Sequence, residues 1–132
     1  MKLKVLGGIA LLAAAPAMAG NSNTLTATAT VQAVCNFTTT TSTLAFGSID
    51  PTGAGPVTAT TSIAYACTSG QAPTLTMPAG GTMASGANNL AFTLANVNTG
   101  SAINITGTVA QAAYSVAPAG SYSGTVTYTI AP

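Results

Sequence analysis

Apolar and polar residues alternate one for one along Thr24–Ala33. Leu25, Ala27, Ala29, Val31 and Ala33 fall on one side, and Thr24, Thr26, Thr28, Thr30 and Gln32 on the other. A period of two is that of a β-strand with one apolar face. The pattern recurs down the chain: Ile63, Tyr65 and Cys67 share a face, as do Leu90, Phe92 and Leu94, then Ile103 and Ile105, and finally Val126, Tyr128 and Ile130. It predicts strands over Thr24–Val34 (continued or restarted over Val34–Thr40), 43–49, 57–67, 74–77, 89–96, 103–111, 113–116 and 122–130. Turn sequences separate them at 50–56, 68–73, 97–101 and 117–121, with a loose loop over 78–88. No apolar spacing of three to four residues persists, so no helix is expected. Seven or eight short strands rich in Thr and Val, with 24 Thr beyond residue 19, indicate an all-β, immunoglobulin-like sandwich. No long period recurs, which argues against a solenoid.

Residues 1–19 read as an export signal: a basic "MKLK", an apolar "VLGGIALLAAAP" and a small-residue cleavage site ending at Ala19. The apolar run falls short of the ~20 residues a spanning helix needs. A single domain is then expected over residues 20–132.

Removal of that signal takes away Lys2 and Lys4, leaving Asp50 as the sole charged side chain, and the chain contains no His. Phosphate neutralisation needs Lys or Arg, so nucleic-acid binding is excluded. Neither a metal site nor a general acid–base pair can be built from one carboxylate and two cysteines, so no catalytic residue, metal or cofactor is expected. Asp50 before Pro51 is read as a turn former. The triplets at 36–38 and 104–106 match the N-glycosylation pattern, which arises by chance in so Thr-rich a chain. Tyr122 and Tyr128 are read as core and cross-strand packing rather than a sugar-binding platform.

Cys35 and Cys67 are an even pair in an exported chain, which reads as one disulfide; two buried free thiols are the alternative.

Three blocks carry a resemblance. "VCNFTTTTSTLAFGSIDP" (34–51), "SIAYACTSG" (62–70) and "APAGSYSGTVTYTI" (117–130) are similar, in order, to motifs of the spore coat protein U domain family, which includes pilins of archaic (Csu-type) chaperone–usher pili. The resemblance implies an incomplete immunoglobulin-like sandwich over residues 35–132 and an N-terminal donor-strand segment, residues 20–34, that fills the groove of a neighbouring subunit. Its donor face would be Leu25, Ala27, Ala29, Val31 and Ala33. Tyr122, Val126, Tyr128 and Ile130 would form the core and groove face of the last strand. The disulfide would join the first strand to the end of the second. The implied partners are further copies of the chain in a homopolymer, a periplasmic pilus chaperone and an outer-membrane usher, with the product a surface fibre. Two features depart from the family: Gly124 stands where an acidic residue is common, and the section between Met83 and Thr108 is short and lacks Trp.

Alternation alone leaves the pairing of residues 24–34 open, because the pleat is the same whether the strand completes its own domain or a neighbour's. Three functions are therefore carried forward: the major shaft subunit of a pilus assembled by donor-strand exchange, a self-complemented secreted coat or matrix protein, and a module binding polysaccharide or another surface.

Overall fold

The computed structural model describes residues 20–132; the predicted export signal, residues 1–19, lies outside the described residues. The chain divides into two units, Met1–Thr30 and Val31–Pro132. The described part of the first, residues 20–30, is exposed throughout and has no regular secondary structure.

The second unit is built almost entirely of strands: β1 (Cys35–Phe37), β2 (Val57–Cys67), β3 (Thr74–Thr76), β4 (Gly80–Ser85), β5 (Asn88–Asn98), β6 (Ala102–Val109) and β7 (Thr129–Ala131), with one helical turn, α1 (Gln111–Tyr114). Five strands form an antiparallel sheet in the order β1-β2-β6-β5-β4, and β3 and β7 form a two-stranded sheet. The long β2 is shared along its length: Val57–Ala64 pair with β6, and Tyr65–Cys67 pair with β1.

One face of the larger sheet carries the core. Ile63 and Tyr65 of β2 and Ile103 and Ile105 of β6 are buried beneath Leu75, Tyr128 and Ile130 from the β3–β7 side. Leu90 and Phe92 of β5, Val109 of β6 and Tyr114 of α1 are buried beneath Phe46, Ile49, Tyr122 and Val126. The other face presents Thr58, Thr60, Ser62, Asn104 and Thr93, all exposed. The architecture is an incomplete immunoglobulin-like sandwich: one sheet is continuous, and the layer opposite it is ordered into a ladder only over β3 and β7.

Four local expectations are corrected. Residues 43–49 form no strand, although Leu44 and Phe46 do alternate inward, and residues 24–34, read as a strand donated to a neighbour, form none within the single chain. The loop expected over 78–88 contains β4, whose six residues all pair with β5; its glycines let the backbone lie against Phe92, which a β-propensity reading cannot anticipate. The strand expected at 113–116 is replaced by α1, built from residues of good helical propensity and held by the Tyr114 hydroxyl, which donates to the Gly55 carbonyl at 2.7 Å. The last predicted strand is ladder-paired only over Thr129–Ala131, with one isolated bridge upstream between Ser123 and Ala84.

Candidate functional site

Two stretches cross the apolar face of the larger sheet without joining a ladder. The first, residues 42–49, enters from β1. Leu44 and Phe46 point inward, and both lie so close over Gly107 of β6 that a Cβ there would overlap them. The Phe46 ring sits 5.9 Å from that of Phe92, and the Ser42 hydroxyl lies 2.7 Å from that of Tyr128. Gly47, at φ +70°, then turns the chain into a region side chains rarely adopt, bringing Ile49 inward after an odd spacing.

The second stretch, residues 117–128, follows α1. Tyr122, Val126 and Tyr128 are half-buried and face the sheet; Ile130, two residues on, is half-buried opposite Leu75. Ser123 exchanges two backbone hydrogen bonds with Ala84, at 2.8 and 3.1 Å. At the next residue the backbones of this stretch and β4 approach so closely that a Cβ on Gly124 would overlap the Thr82 carbonyl and reach the Met83 Cα at 3.1 Å. Glycine is therefore the residue this contact requires at position 124.

Between the two stretches lies a groove formed by two adjoining cavities. One, about 570 Å³, is lined by Leu44, Phe46 and Ile49 on one side, by Tyr114 and Tyr122 on the other, and by Met83 and Leu90 below. The other, about 340 Å³, shares Leu44, Phe46 and Met83 and adds Met77, Phe92, Leu94, Ile105, Val126 and Tyr128. Among the described residues, no backbone hydrogen bond joins residues 39–49 to a neighbour, and on the far wall between Pro118 and Tyr128 only Ser123 makes backbone–backbone bonds. The groove therefore combines an apolar floor with edges that carry unpaired amides and carbonyls, and an unpaired edge is a template for another strand.

The sequence-predicted site residues fall into three sets. Cys35 and Cys67 face each other in the β1–β2 register and are joined as a disulfide. Tyr122, Val126 and Tyr128 line the groove, and Ile130 packs in the adjacent core. Leu25, Ala27, Ala29, Val31 and Ala33 are all exposed, Leu25 at 96% and Val31 at 81%. Leu44, Phe46, Met77 and Met83 complete the groove and were not singled out from sequence; the Leu-x-Phe alternation was the available signal for the first two.

Asp50 shapes a turn outside the groove. Its carboxylate accepts from the Thr52 hydroxyl at 2.7 Å and the Thr52 amide at 2.8 Å, and these bonds, the hydroxyl's first, hold its pKa below the ordinary value.

The family model for the Spore Coat Protein U domain matches residues 21–99, which include both cysteines and the first groove wall but not the closing block at 117–130. No curated protein and no solved structure matches the chain.

Proposed function

The chain belongs to the Spore Coat Protein U domain family, that of the Csu-type chaperone–usher pilin domain, and from that premise we propose that it is the major shaft subunit of a surface pilus, polymerising by donor-strand exchange. The observation that carries the reading is the groove: an apolar trough bounded on both sides by extended backbone without ladder partners. Its occupant is the leading segment of a second copy. A strand added there gains main-chain hydrogen bonds from both walls and places alternate side chains into the trough. Leu25, Ala27, Ala29 and Val31 supply such a face, with the two larger side chains near its ends. Burying Leu25 and Val31 contributes roughly 1.5–3 kcal/mol each.

Each subunit thus offers a segment and a groove, and the interface is head-to-tail, which propagates as an open fibre. A subunit with an empty groove exposes an aggregation-prone edge, so a periplasmic chaperone covering it and an outer-membrane usher exchanging chaperone for the next subunit are the partners this reading requires. The near absence of charge suits subunits that meet one another across much of their surface.

The test is an SDS-resistant ladder from unboiled fibres, compared between Ala29→Asp and Thr28→Asp. The first substitution forces a carboxylate toward the trough, where an unpaired charge costs several kcal/mol. The second points it away. Loss of the ladder in Ala29→Asp alone is expected. Equal behaviour of the two variants, or a stable monomer with the segment folded onto its own groove, would favour the self-complemented coat protein instead.

A further inference from the structure

The leading segment is tied to its own domain before it becomes free, and a single side chain does most of the tying. Thr68 directly follows Cys67 at the end of β2 and is half-buried. Its amide donates to the Val34 carbonyl at 2.8 Å, extending the β1–β2 ladder by one residue past the disulfide. Its hydroxyl oxygen accepts from the Val34 amide at 3.1 Å, and the hydroxyl donates to the Gln32 carbonyl at 3.0 Å. The hydroxyl therefore works as donor and acceptor at once on two residues of one segment, a pairing only Ser or Thr can make at this size. Gln32 and Val34 have no strand assignment; the hydroxyl also lies 3.4 Å from the Val34 carbonyl, and among the described residues neither Gln32 nor Val34 is hydrogen-bonded to any residue but Thr68.

Resting on the donor-strand reading, we propose that Thr68 is a positioning residue that sets the root of the donated strand. It fixes where donation stops and in which direction the segment leaves the subunit. Ala33 lies between two tied residues, so the donated face is Leu25, Ala27, Ala29 and Val31, and Val31 is the last residue free to enter a neighbour. Successive subunits are then related by the geometry at residues 32–34, where the disulfide and the Thr68 bonds lie side by side and pass tension from the segment into β2. Without the hydroxyl bonds the same covalent chain would join the subunits through a looser swivel.

Thr68→Val tests this, because valine keeps the branched shape and the amide–Val34 bond while losing both hydroxyl bonds. In the monomeric full-length subunit, the Val34 amide should exchange with solvent about tenfold faster than in the wild type, the change expected when its one hydrogen bond is lost. Thr68→Ser should restore the slow rate. In fibres, Thr68→Val should keep the SDS-resistant ladder but show a broader distribution of inter-subunit angles and a shorter persistence length in electron micrographs, again restored by Ser. An unchanged Val34 exchange rate overturns the clamp. A faster rate with unchanged fibre angles overturns its role in setting the junction. Wild-type subunits that never polymerise would defeat the donor-strand reading instead, and the Val34 rate would still decide whether Thr68 holds the root.

Discussion

Replacing Gly124 by Ala adds one methyl group where two backbones meet. The new Cβ would overlap the Thr82 carbonyl and press on the Met83 Cα, and both are main-chain atoms that cannot swing aside. The stretch must move off β4, which breaks the two hydrogen bonds between Ser123 and Ala84. Each is worth about 1 kcal/mol net. The reduced freedom of the unfolded chain returns about 0.4–1 kcal/mol, and residual strain takes about 1–3 kcal/mol. The expected destabilisation is therefore about 2–4.5 kcal/mol, and at roughly 4 °C per kcal/mol for a domain of this size the melting midpoint should fall by about 8–18 °C. Circular dichroism melts of the disulfide-bonded monomer measure it. Ser123→Ala is the control: its side chain is exposed and its backbone bonds remain, so the change should stay within about 0.5 kcal/mol. Because the displaced stretch is one wall of the groove, Gly124→Ala fibres should also lose their SDS-resistant ladder. A variant melting with the wild type and polymerising normally would refute the close approach of residues 121–126 to β4.

Reducing the Cys35–Cys67 bond, or replacing both cysteines by Ser, should cost about 3–4 kcal/mol for a separation of 32 residues, read as a lower urea midpoint. Tyr114→Phe removes the hydroxyl held by Gly55 at 2.7 Å and should cost about 1–2 kcal/mol, with faster proteolysis within residues 50–56 as the local reading. Asp50 is the only carboxylate side chain, and its pKa is lowered in the folded state, so its small stabilising contribution is present above the unfolded value of 3.8 and lost as pH falls through the folded value. Melts should accordingly be flat between about pH 5 and 8 and decline slightly in acid, and Asp50→Asn should abolish that decline while leaving assembly intact.

Much of the fold was legible because side-chain alternation is a local signal. β2, β5 and β6 could be read directly, and the inward set Ile63, Tyr65, Leu90, Phe92, Ile103 and Ile105 is buried, joined in the core by Val109 and Tyr114. Other parts depended on what lies opposite. Residues 43–46 and 122–128 carry alternation, yet a ladder needs a neighbour, and here the partner is missing along most of both stretches. β4 was hidden for the converse reason: Gly80 and Gly81 look like a loop until Phe92 is seen against them. Thr68 could not be distinguished from the other threonines, because its role arises from a segment 34–36 residues away in the chain. The cysteines were legible because only two exist in the whole chain.

Hydrogen exchange resolved by residue, compared between dilute monomer and assembled fibre, tests the central claim most directly. Assembly by donor-strand exchange predicts that amides of residues 24–31 exchange freely in the monomer and become protected in the fibre. Protection should rise together along the two groove walls, residues 43–48 and 124–128, while β2, β5 and β6 are already protected in both states. Residues 24–31 equally protected at any dilution, or groove walls whose exchange does not change on assembly, would contradict it.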